Sequence, residues 1–103
     1  MEQTYAVLDA LKPAGTGFAI FIPTISQGTM PACYEGDYPV VFASELEAQR
    51  EIADSQMIRL QQFIDGERDF EDAIYTDEFV LPVDVWLDRS ISTEDGRIYG
   101  KAE

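Results

Sequence analysis

Ser44-Glu45-Leu46-Glu47 fixes where a helix must begin. The Ser44 hydroxyl can accept from the backbone N–H three residues on, while the Glu47 carboxylate reaches back to the Ser44 N–H, so the tetrapeptide satisfies its own orphan donors. Downstream, Ile52, Met57, Leu60, Phe63 and Ile64 recur near the helical period, and Gly66 supplies a left-handed stop. The spacing predicts one helix from Glu45 to about Asp65, roughly 30 Å long at 1.5 Å per residue. Glu45 and Glu47 suit the positive end of its macrodipole. Pairs such as Glu47 with Arg50 and Arg50 with Asp54 add tenths of a kcal/mol. If the apolar stripe packs on a sheet, Leu60→Ala should cost about 2–5 kcal/mol, against about 1 kcal/mol for loss of the Ser44 cap.

The remaining segments read as strands. Thr4-Tyr5-Ala6-Val7-Leu8 and Gly17-Phe18-Ala19-Ile20-Phe21-Ile22 are rich in β-branched and aromatic residues and flank the turn-forming stretch Lys12 to Gly17, which predicts a β-hairpin. Pro23 should end the second strand, and Ile25 to Gly36, with Gly28, Pro31 and Gly36, should be a loop. Pro39-Val40-Val41-Phe42 forms a third short strand ahead of the helix. Beyond Gly66, Phe70, Ala73 and Ile74 keep helical spacing, with Asp69 as a candidate cap. From Phe79 to Asp88 the chain alternates, with Phe79, Leu81, Val83, Val85 and Leu87 on one face. Pro82 cannot donate to a ladder and argues for an edge or a bulge. Glu94-Asp95-Gly96 marks a closing hairpin between Ser90-Ile91-Ser92 and Arg97-Ile98-Tyr99.

The order β-β-β-α-(α)-β-β has no βαβ alternation. It predicts an α+β fold, an antiparallel sheet of about four to five strands packed against one long helix. A chain of 103 residues without repeats or a Pro-rich linker should form a single compact domain spanning 1–103. Its longest apolar run, Phe18 to Pro23, is far short of the roughly 20 residues that span a bilayer. Met1-Glu2-Gln3 lacks a basic region ahead of an apolar stretch, so a cytoplasmic protein with no membrane partner is expected.

Charge narrows the function. The chain holds 20 acids against 7 bases, a formal net charge of −13. Glu2 and Asp9 face Lys12 before Tyr34, so nearly all the surplus lies after it. The densest part runs from Asp65 to Glu78, where Asp65, Glu67, Asp69, Glu71, Asp72, Asp77 and Glu78 face only Arg68.

Catalysis is constrained by inventory. With no histidine, a Ser/His or Cys/His pair cannot be built. A lone Cys33 forms no internal disulfide, and acid beside it disfavours the thiolate a nucleophile needs. Asp65-Gly66-Glu67-Arg68-Asp69-Phe70-Glu71 has the alternating oxygens of a calcium loop but puts glycine at the second position and Thr76 at the twelfth. Neither a metal site nor a cofactor is expected, and the protein reads as non-enzymatic.

Three readings of the acid remain: a solubilising face, adaptation to salt, or a surface for a basic partner. Self-repulsion at this charge weakens the compact state, which favours a functional use. Glu47, Glu51 and Asp54 place carboxylates about 5–6 Å apart along one helix face, near the spacing of phosphates on a nucleic-acid strand. The stronger candidate surface is Glu67, Asp69, Glu71, Asp72, Asp77 and Glu78, interleaved with Phe70 and Tyr75; Trp86 is a further anchor candidate. Acids steer encounter while aromatic rings supply buried contact area.

In size, absence of histidine, acidity and α+β layout, the chain resembles the small anti-defence proteins of phages and mobile elements, including anti-CRISPR proteins that imitate nucleic acid. The resemblance implies stoichiometric inhibition, with the acidic face occupying the basic groove of a nucleic-acid-binding effector complex. No motif carries it, and no family residue maps onto a position here. Direct nucleic-acid binding is disfavoured by charge. The rival expectations are an assembly module that homodimerises through the apolar strand edge near Pro82 and Trp86, and a small carboxylate-based, metal-dependent enzyme centred on Asp65 and Glu67. The charge pattern leaves monomer and homodimer both open.

Overall fold

The computed structural model describes residues 13–100. The strand expected at Thr4 to Leu8 therefore lies outside the described residues. The chain runs β1 (Gly15–Thr24), β2 (Gly28–Pro31), β3 (Tyr34–Glu35), β4 (Tyr38–Pro39), α1 (Glu45–Ile64), α2 (Phe70–Ile74), β5 (Phe79–Val85), β6 (Ile91–Ser92) and β7 (Ile98–Tyr99). The fold is α+β. A five-stranded antiparallel sheet has the order β2-β1-β5-β6-β7, and β3 and β4 form a separate two-stranded ribbon.

The segment after Pro23 is a hairpin arm where a loop was expected. β1 continues to Thr24, and Gly28, with φ +71°, turns the chain back so that Phe21 lies opposite Pro31 and Thr24 opposite Gly28. The Thr24 hydroxyl donates to the Gly28 carbonyl at 2.6 Å and accepts from the Gln27 N–H at 3.0 Å, bracing the turn. Gly15 and Gly17 are likewise inside β1 and do not form a turn. A Cβ at Gly17 would sit 2.9 Å from the Phe42 carbonyl and against Val41 Cγ1, so glycine is what lets that segment approach. The strand expected at Pro39 to Phe42 shrinks accordingly: Pro39 ends β4, and Phe42 reaches β1 through a single bridge to Phe18.

Pro82 sits in β5, which is flanked by β1 and β6. Its opposite residue in β1 is Phe18, whose N–H and C=O are both committed to Phe42 on the other side at 2.9 and 2.7 Å. The proline nitrogen therefore points away from β1, where β6 pairs only with Asp84 and Val85. Locally this is an edge, and the missing donor costs nothing. β5 ends at Val85, and a turn through Arg89, at φ +70°, leads into β6. Ser90 donates both its N–H and its hydroxyl to Asp88, holding that carboxyl below its usual range.

Register assigns the two faces. Ala19, Phe21, Val83, Ile91 and Tyr99 share one face and form the buried cluster, with Leu81 and Val85 packed against it. The Tyr99 ring packs tilted against Phe21 with centres 5.4 Å apart, and its hydroxyl donates to the Thr29 carbonyl at 2.7 Å, so β7 closes over the face towards β2. The sheet thus curls and buries this face upon itself. Ile20, 1% exposed, points to the opposite face by strand alternation. α1 contacts β1 and β5, and it is this second face that it covers.

That reverses the expected packing of α1. Its boundaries match expectation, and Ser44 caps it by accepting from the Glu47 N–H at 3.1 Å, but the Glu47 carboxylate accepts from the Ala43 N–H instead of from Ser44. At the other end Glu67 N–H donates to the Gln62 carbonyl and Gly66 N–H to that of Phe63, with Gly66 at φ +80°. These are the two bonds of a Schellman stop. Between the caps, the covered side is Ala48, Ile52, Ser55, Gln56, Arg59 and Gln62, of which only Ala48 is fully buried. Met57 and Ile64, expected in the core stripe, are 66% and 71% exposed; Phe63 is also exposed, and Leu60 is half-buried.

Candidate acidic interface

The Schellman turn after Ile64 and the short helix α2 together shape the acidic surface. Gly66 breaks the helix direction, and Asp69 starts α2 with extended backbone but makes no side-chain capping bond. Its carboxylate is left facing water. Gly66, Glu67, Arg68, Asp69 and Asp72 line a shallow polar depression at this corner. Arg68 bonds Gln62 through Nε at 2.7 Å and pairs with Asp72 at 3.4 Å. Among the described residues no ion pair within 4 Å reaches Glu67, Asp69 or Glu71, and all three are exposed.

The corner is not purely polar. Phe70 is 52% exposed and meets Phe63 edge-on with ring centres 5.1 Å apart. Ile74 and Tyr75 are exposed beside it, because Ala73 is the residue of α2 that turns inward. α2 is held to α1 through Gln56, whose side-chain amide donates to the Ala73 carbonyl at 2.6 Å.

The sequence-predicted cluster divides in two. Glu67, Asp69, Glu71 and Asp72 share the exposed corner with Phe70 and Tyr75. Asp77 is half-buried, and Glu78 is drawn inward as the partner of Arg59 at 3.5 Å, its side chain only 13% exposed. Arg59 also donates to Gln56 at 2.9 Å, while its Nε is buried with no partner. Glu78 therefore joins α1 to the entry of β5.

Glu47, Glu51 and Asp54 are exposed along α1, with Glu47 also serving the N-terminal cap. The Cys33 thiol is pushed up, first by burial and then by the charges of Glu78 and Glu51, which places both carboxylates within electrostatic reach of the β2–β3 connection. Trp86 is half-buried and donates from its indole nitrogen to Ser92 at 2.9 Å. It follows the last residue of β5 while the acidic corner precedes the first, about 20 Å of extended chain away.

Sequence reasoning missed the outward row Leu46, Ala53, Met57 and Ile64, all exposed. Its signal was present in the spacing, but an apolar helix stripe is by default assigned to the core. Among the described residues, no three carboxylate or thiol side chains converge so as to hold a metal ion. Among the described residues no helix is long and apolar enough to cross a membrane. Comparison with protein-family models, with curated proteins and with solved structures gives no match for this chain.

Proposed function

We propose that the protein is a non-enzymatic acidic binding protein that occludes a basic surface, that of a nucleic-acid-binding effector, in the manner of an anti-CRISPR-like mimic. The observation that supports this is the corner between α1 and α2. Glu67, Asp69, Glu71 and Asp72 stand exposed there with one arginine among them, beside exposed Phe70 and Tyr75. Exposed carboxylates raise the encounter rate with a basic groove, and rings next to them exclude water once docked. A merely solubilising surface has no need of half-exposed aromatic rings.

The mechanism is competition. The carboxylates occupy positions that phosphates take, so binding weakens with salt and is displaced by nucleic acid. Immobilised protein exposed to host lysate after nuclease treatment should retain a basic protein at low ionic strength and release it to added nucleic acid. The Asp69→Lys, Glu71→Lys, Asp72→Lys variant should bind that protein at least about tenfold less tightly and with a shallower salt dependence. An unchanged affinity in the triple variant would sink the proposal.

A further inference from the structure

We infer that the outward face of α1 is a docking seam for a basic amphipathic helix of the partner, an inference that rests on the acidic-binding reading above. α1 is amphipathic the wrong way round. Its covered side carries Ala48, Ile52, Ser55, Gln56, Arg59 and Gln62, a single large apolar residue among them, while Leu46, Met57 and Ile64 are each more than half exposed on the far side. Exposed Ala53 and half-buried Leu60 complete that row.

The spacing suits a helical occupant. Leu46, Arg50, Ala53, Met57, Leu60 and Ile64 alternate steps of four and three, the heptad pattern whose knobs fit the holes of a facing helix.

Charge specifies the partner further. Glu47 and Asp54 border the seam on one flank, with Glu51 beyond them and Asp65 and Glu67 continuing past the helix; Gln49 borders the other, where α2 packs against Gln56. The seam itself holds a single base, Arg50. A facing helix therefore needs an apolar stripe and Lys or Arg along one side. A second copy of this chain brings the same acids against themselves at a net charge of −13 each, and a helix of neutral flanks leaves the border unanswered.

The test uses the whole protein and a labelled synthetic peptide of about three heptads, with Leu at a and d, Lys along one flank and Gln elsewhere. A control peptide of the same composition is scrambled to abolish the stripe. Fluorescence anisotropy should show the heptad peptide binding at least about tenfold tighter than the control. Met57→Gln with Ile64→Gln should remove that preference at an unchanged unfolding midpoint, since both side chains are exposed. Equal binding of the two peptides overturns the seam, as does an unaffected double variant. If binding is lost only in the Asp69→Lys, Glu71→Lys, Asp72→Lys variant, the seam falls while the acidic-surface reading stands. Concentration-dependent self-association abolished by Met57→Gln with Ile64→Gln would give the face to a second copy and overturn the inference. A spin label on Met57→Cys, in a Cys33→Ser background, that broadens the amides of residues 1–12 within a monomer would give it to the chain's own N-terminal segment and also overturn it.

Discussion

Phe21 and Ile64 are both large apolar residues in regular structure, and they have opposite fates: Phe21 is 0% exposed and Ile64 71%. Phe21 lies on the sheet face that curls upon itself, where Tyr99 and Phe79 rings pack at 5.4 and 6.3 Å and the Tyr99–Thr29 hydrogen bond draws β7 towards β2. Ile64 lies on a helix that covers the other face with Ile52 and otherwise small or polar side chains. A sheet that supplies both walls of its own core does not need the helix's apolar stripe, and so releases that stripe for use elsewhere. Burial here is decided by which face the helix is asked to cover, and apolarity alone does not decide it.

The comparison is broken most directly by truncating each residue. Phe21→Ala removes two ring contacts from a closed cluster and should cost about 3–5 kcal/mol in denaturant unfolding. Ile64→Ala should stay within about 0.5 kcal/mol of the parent. A matching loss at Ile64 would mean that its face is covered within the folded monomer, and both the comparison and the docking seam would fail.

The joint between the two regions gives the next largest effect. Arg59 and Glu78 meet between α1 and the start of β5 with side chains 23% and 13% exposed, and Arg59 Nε already lacks a partner. Glu78→Ala strands a half-buried guanidinium and Arg59→Met strands the still more buried Glu78 carboxylate, so each should cost about 2–3 kcal/mol, whereas Arg59→Met with Glu78→Leu, which removes both charges and keeps the stems, should be close to neutral. A double variant that lost as much as either single one in thermal unfolding would make the pair a net stabiliser and the joint stiffer than its imperfect bonding implies.

The elements legible in the sequence are those whose signal is local. The Ser44 cap, the Gly66 stop and the Glu94-Asp95-Gly96 turn each depend on a few adjacent residues, so their positions could be read directly, as could the α+β layout they punctuate. β2 was not legible, because Gly28 and Pro31 look like loop residues until β1 is there to pair with them. Nor was the destination of the helix stripe, since Met57 and Ile64 have the same local pattern whether a sheet or solvent lies opposite. The acidic corner was legible as composition, but not its division. Glu78 is drawn inward by Arg59, 19 residues away in sequence, and only tertiary structure brings that partner into range. Phe70 reads more readily as core than as surface until Ala73 is seen to take the inward position of α2.

The smallest effect probes how closely α1 and the sheet connections approach each other. Cys33 follows β2, and its thiol is pushed up by burial and by the negative charges of Glu78 and Glu51. Alkylation consumes the thiolate, so a raised pKa means slower reaction at neutral pH than an ordinary cysteine shows. The same shift sets a stability term. The folded state holds its thiol proton to higher pH than the unfolded chain does, so the contribution is complete below the unfolded pKa and lost as pH rises through the folded one. Glu51→Gln removes a negative charge from the thiol's surroundings, so the Cys33 pKa must fall and iodoacetamide labelling at fixed neutral pH must accelerate. Glu51 is exposed and solvent screens it, which limits the gain to about two- or threefold and erases most of it at high salt. A rate that did not respond to Glu51→Gln at low salt would put the N-terminal half of α1 out of electrostatic reach of the β2–β3 connection.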